Sequence, residues 1–115
     1  MVKRWVGPGD QFCTLGFHQW AVSRLIDLSR DLKVYDVPLA AINMYHVYEN
    51  LTLRDMVMHM NAAMASDLTK PIILDEDGEL MDGRHRIMKA LFLGCETIKV
   101  VRFQKNPAPC KVLEK

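Results

Sequence analysis

The sequence has no surplus of charge of either sign: 15 Lys and Arg stand against 14 Asp and Glu, a formal net charge of +1. Domains that hold nucleic acid on a broad basic face are far more basic, which argues against such a face and leaves a local basic pocket open. Cysteine is scarce. Cys13, Cys95 and Cys110 are odd in number, widely spaced and form no C-x-x-C pair. That pattern excludes a disulfide framework and a zinc knuckle, so reduced thiols and no zinc are expected. No apolar run approaches the roughly 18 residues of a membrane span, and the basic start MVKRWVGPGDQF has no apolar stretch behind it. Neither a leader nor a membrane partner is expected, and a cytoplasmic location follows. Internal repeats and low-complexity blocks are absent from the sequence.

What is there suffices for one domain. A chain of 115 residues, half of them hydrophobic, buries about two-thirds of the surface its unfolded form exposes. Residues 1–16 carry Gly7, Pro8, Gly9 and Gly16 without periodicity and predict an irregular arm, tied down by Trp5 and Phe12. Ala21, Leu25, Leu28 and Leu32 predict an amphipathic helix from His18 to Leu32. Val34 to Pro38 suits a short edge strand, followed by a helical turn from Leu39 to Ile42. Thr52-Leu53-Arg54-Asp55 fits a capping box opening a helix to Ser66, with Leu53, Met56, Val57, Met60, Ala63 and Met64 on one face for the core.

Continuous apolar character from Ile72 to Leu74 predicts a strand buried on both faces, and Asp77-Gly78 a hairpin turn into Glu79 to Met81. Arg84 to Leu93 is a helix stopped by Gly94, Thr97 to Phe103 a last strand, and 104–115 a tail marked by Pro107 and Pro109. The order predicts a single mixed α/β domain over residues 1–115, of α+β class, with a small mixed sheet flanked by helices.

Asp82-Gly83-Arg84-His85-Arg86 carries the chemistry. Gly83 allows close backbone approach or positive φ, the arginines supply forked permanent charge, and His85 supplies a donor that gains charge near neutral pH. Cations at a helix start are disfavoured by about 0.3–1 kcal/mol unless an anion offsets them. Gly83, Arg84, His85 and Arg86 are therefore candidate phosphate or nucleotide ligands. His85 and Asp82 are the candidate catalytic groups, although Asp82, which abuts the glycine, is best placed to cap the helix.

The acidic run Asp75, Glu76, Asp77 and Glu79 begins like a calcium loop, but the twelfth position from Asp75 is Arg86, not glutamate. It reads as a solvated hairpin tip, about 13 Å along an extended strand from Gly83, and no metal site is expected. Met44 to Glu49 offers Tyr45, Tyr48, His46 and Glu49 for stacking or proton transfer, with packing of the tyrosines at the core margin the simpler reading. His18 and His59 have no partner at metal-ligand spacing and read as surface or half-buried groups. The methionines of the second helix, Met58 excepted, fall in the apolar stripe and read as core. Cys95 lies at a helix end away from the cationic start and is no nucleophile.

From Pro71 to Leu91 the sequence resembles the ParB/sulfiredoxin superfamily, the group that includes the ParB-like nuclease domains. Pro71-Ile72-Ile73 stands for its opening strand, Asp77-Gly78 for its turn, and Gly83-Arg84-His85-Arg86, with Ala90 beyond, for its Gly-x-His-Arg helix start. The resemblance implies a nucleotide or another phosphorylated ligand at Gly83, His85 and Arg86, a nucleoside triphosphate with Mg2+ among the options. Sulfiredoxins carry cysteine where Arg84 stands, which argues against sulfinate reduction. Partition proteins carry glutamate there and arginine in place of His85, and add domains for which 115 residues leave no room. The leading expectation is a nucleotide- or phosphate-binding domain, with phosphate transfer or hydrolysis left open. The alternative is a DNA-associated accessory domain whose dimer aligns Lys3, Arg4, Lys99, Arg102 and Lys105; a nuclease ranks last, since only Asp82 is near in sequence to the basic site.

Overall fold

The computed structural model describes residues 11–44 and 50–113. In chain order the elements are β1 (Phe12–Leu15), β2 (His18–Ala21), α1 (Val22–Ser29), β3 (Tyr35–Pro38), a 3-10 turn (Leu39–Ala41), α2 (Leu53–Ala65), β4 (Ile72–Leu74), β5 (Leu80–Asp82), α3 (Arg84–Leu93), β6 (Thr97–Arg102) and β7 (Lys111–Val112). The α+β class expected from the sequence is the class observed.

Strands β3, β6, β4 and β5 form one sheet in that order, with β4 and β6 parallel and the other two pairings antiparallel. The alternation of side chains along a strand divides the run Ile72-Ile73-Leu74 between two cores. Ile72 and Leu74 pack with Ile87, Ala90, Ile98 and Val100 on one face, while Ile73 joins Trp20, Leu25, Met81, Val101 and Phe103 on the other. β4 is therefore buried on both sides, as its apolar sequence requires.

Residues 11–21 depart from expectation. The irregular arm is interrupted by β1, which pairs antiparallel with β2 through the two-residue turn Gly16-Phe17. Helix α1 accordingly begins at Val22, not His18, and turns Val22, Leu25 and Ser29 inward while Leu28 is exposed. Phe12 is mostly exposed, and Cys13 and Trp20 fill the second core instead. Trp5 lies outside the described residues.

The tail also has structure. β7 pairs with β2 to complete a three-stranded sheet, and the buried Trp20 indole donates to the Pro107 carbonyl at 2.9 Å. The turn before β5 is tied to this segment by a reciprocal pair: Glu76 N–H donates to Asn106 Oδ1 at 2.8 Å, and Asn106 N–H to Glu76 Oε1 at 2.7 Å.

Helix α2 has the expected capping box, Thr52 Oγ1 accepting from Asp55 N–H at 3.0 Å and Asp55 Oδ2 from Thr52 N–H at 3.2 Å. Its apolar stripe is not core, however. Only Ala63 of the helix is buried, and Leu53, Met56, Val57, Met60 and Met64 are exposed. The helix is held at its far end instead, where Lys89 Nζ donates to the Met64 and Ser66 carbonyls at 3.1 and 2.8 Å. A cation there complements the negative end of the helix dipole. No helix among the described residues is long and apolar enough to cross a membrane.

Candidate functional site

β5 delivers the chain directly into α3 through Gly83, whose backbone is left-handed at φ 119° and ψ 18°. A Cβ built there would strike the Ile72 side chain, with Ile72 Cβ at 2.7 Å and the Ile72 Cα at 3.0 Å. Two requirements thus fix glycine at this position, one conformational and one steric. The result is that the first turn of α3 lies hard against β4.

Among the described residues the N-cap position, Gly83, offers α3 no side-chain cap. The first intrahelical bond runs from Ile87 N–H to the Gly83 carbonyl at 3.0 Å, so the amides of the first turn have no acceptor within the helix itself. Asp82 does not cap; its Oδ2 accepts from Arg86 Nη2 at 2.8 Å in a mostly buried ion pair. Arg86 Nη1 donates to the Pro71 carbonyl, also at 2.8 Å. The guanidinium thereby ties the start of α3 to the ends of β4 and β5.

The start of α3 borders a cleft of about 810 Å3, whose lining includes Gly83, Arg84 and His85 together with Cys13, Thr14 and Leu15 of β1. A second cleft, of about 640 Å3, includes Arg30, Lys70 and Ser66, and the Asp82–Arg86 pair contributes to the walls of both. Arg84 is exposed at the first helical position. The Cys13 thiol is pushed up to about 11 by burial, with the charges of Asp82 and Asp75 adding to it. It is a packed thiol rather than a nucleophile.

His85 is half-buried and bonded to a residue that sequence spacing did not connect with it. Its Nε2 lies 2.9 Å from Nδ1 of His59 on α2, with the rings tilted at 31°. One imidazole donates and the other accepts, so a single proton occupies the contact. Burial, then His59 and Arg84, hold His85 below the ordinary histidine value, against a smaller opposing pull from Asp82. At neutral pH it is therefore a neutral donor or acceptor, not the additional cation its position suggested. His59 is half-buried, as expected, and lacked any signal of its partner, since 26 residues separate the two.

Asp75 differs from the solvated group expected. It is 5% exposed, and its Oδ1 accepts from the Asp77 and Glu79 amides at 2.8 Å each. It thus frames a connection longer than the two-residue Asp77-Gly78 turn expected: Asp75 N–H donates to the Glu79 carbonyl at 2.8 Å, leaving Glu76, Asp77 and Gly78 in the loop. Among the described residues no group of three His, Cys, Asp or Glu side chains is placed to hold a metal ion. His18 is exposed at the start of β2. Tyr45, His46, Tyr48 and Glu49 lie outside the described residues. Comparison of the chain with known protein families, curated proteins and solved structures returns no match.

Proposed function

We propose that this chain is a cytoplasmic binding domain for a phosphorylated ligand, a nucleotide first among them, held at the start of α3. The observation that carries this reading is the start of α3 opening from a left-handed glycine onto a cleft of about 810 Å3, with Gly83, Arg84 and His85 among its lining. The amides and the positive dipole end at a helix start suit an anion, and Arg84 adds a forked permanent charge. Arg86 acts here as a positioning group, because Asp82 and the Pro71 carbonyl engage both of its terminal nitrogens. Free thiols at Cys13, Cys95 and Cys110 support the cytoplasmic setting. The resemblance of Pro71 to Leu91 to the ParB/sulfiredoxin superfamily points to the same ligand class.

If the bound phosphate is turned over with Mg2+, neutral His85 is the group able to move a proton, since Asp82 is committed to Arg86. Calorimetric titration with nucleoside triphosphates, diphosphates and inorganic polyphosphate tests the proposal. Binding is expected in the wild type and weakening by about tenfold or more in Arg84→Ala. Absence of binding by any of them at millimolar concentration overturns it. DNA affinity that falls steeply with salt, without nucleotide binding, would favour the DNA-associated reading instead.

A further inference from the structure

His59 and His85 project from different helices and meet nitrogen to nitrogen, Nδ1 to Nε2, at 2.9 Å. When the shared proton moves to the outer nitrogen of the donating ring, both rings stay neutral and their two inner lone pairs face each other across 2.9 Å. A borderline transition metal ion asks for that arrangement. With metal–nitrogen distances of about 2.0–2.1 Å, two nitrogens on one tetrahedral ion lie about 3.3 Å apart, so the pair must open by only about 0.4 Å. The ring centroids are 5.2 Å apart, and two imidazoles on a tetrahedral ion place theirs at about the same separation. The ion is admitted by rotating the rings, without moving α2 away from α3.

Space and charge beside the pair are compatible with an ion. A small pocket of about 80 Å3 is lined by Asp55, Met58, Ala62 and the two histidines. A water molecule occupies about 30 Å3 in the liquid, so the pocket takes an ion together with a water or two. Asp55 stands one helical turn before His59 on the same face of α2, and its Oδ2 accepts only one of the bonds a carboxylate can take from the Thr52 amide. Arg84 and Arg86 oppose a cation here, and Asp55 and Asp82 offset them.

We propose that His59 and His85 form a site for a divalent transition metal ion of the cobalt-to-zinc series, bound through His59 Nδ1 and His85 Nε2. No third protein side chain converges on the point among the described residues, so water completes the coordination and the site is open to a further ligand. The cysteine pattern that spoke against zinc has no bearing on histidines that only folding brings together. This site is independent of the phosphate reading, because it rests on the imidazole pair alone.

The test uses the whole chain with Cys110→Ser, since an exposed thiol competes for such ions, stripped with chelator and titrated with Co2+ and separately with Zn2+. One ion per chain is expected, with cobalt d–d absorption and a rise in melting temperature. His59→Asn and His85→Asn should each weaken binding by at least about tenfold, and His18→Asn should leave it unchanged. Ring nitrogen shifts of His59 and His85 on adding Zn2+ provide a readout that needs no substitution at the site. Failure of those resonances to move, or binding that survives both histidine substitutions, overturns the proposal.

Discussion

Gly83 joins β5 to α3 with φ at 119° and with Ile72 pressed against the face where a side chain would stand. Gly94, at the other end of the same helix, is also left-handed, at φ 74°, but has open space around it. The pair separates two costs that a glycine can hide. Gly94→Ala should destabilise by about 1–2 kcal/mol, the conformational penalty alone. Gly83→Ala should cost about 3 kcal/mol or more, because overpacking against Ile72 adds to the strain. Urea denaturation of both variants measures the difference. Equal costs would mean that α3 can move away from β4 easily, and the close seating of its first turn would then carry no weight in the site.

Helix α2 and helix α3 meet through polar groups as well as through packing, with the His59–His85 contact near the start of α3 and Lys89 binding the carbonyls at the end of α2. Protonation acts on this contact in a definite direction. His85 titrates below the ordinary value of 6.5, chiefly through burial and then through His59 and Arg84. The unfolded chain therefore binds more protons than the native one in the interval beneath 6.5. Its contribution to stability is complete above that pH and is lost as pH falls toward and through the lowered native value. In chelator-containing buffer, the melting temperature of the wild type should fall more steeply between about pH 7 and pH 5 than that of His85→Asn. The groups that face the ring are His59, Arg84, Arg86, Asp82 and, across the small pocket, Asp55. Parallel curves for the two proteins would show that the second proton enters without disturbing the helix pair.

Much of this element pattern was legible in the sequence, and the parts that were not share a cause. The capping box of α2, the doubly buried β4 and the start and stop of α3 are local, written in residues one to four apart. The β1–β2 hairpin was also written locally, in Gly16-Phe17 between short alternating segments, but the helical spacing from Ala21 to Leu32 masked it. β7, the anchoring of the tail by Trp20 and the His59–His85 contact depend on partners 26 or more residues away. The basic motif of the site could be read from sequence; the diversion of Asp82 to Arg86 could not, because a cap and an ion pair call for the same residue.

At the scale of the whole molecule the apolar side chains are divided unevenly. Two cores on either side of the four-stranded sheet hold Leu25, Ile72, Val101 and Trp20 almost entirely out of water, while the α2 face keeps Leu53 at 80% and Met60 at 59% exposure. Helical spacing alone marks Leu53 and Met60 as core, so a substitution distinguishes the two accounts. Leu53→Glu and Met60→Glu should each change unfolding free energy by no more than about 0.5 kcal/mol, as surface replacements do. At position 53 a carboxylate in the first turn is even favoured by the helix dipole. Leu25→Ala, made at a fully buried site, should cost about 2–5 kcal/mol through lost burial and the cavity left behind. Urea midpoints and slopes for the three variants at one protein concentration provide the comparison. A loss above about 2 kcal/mol at position 53 or 60 would place that face against a partner surface in the folded state, because only a side chain removed from water carries a penalty of that size.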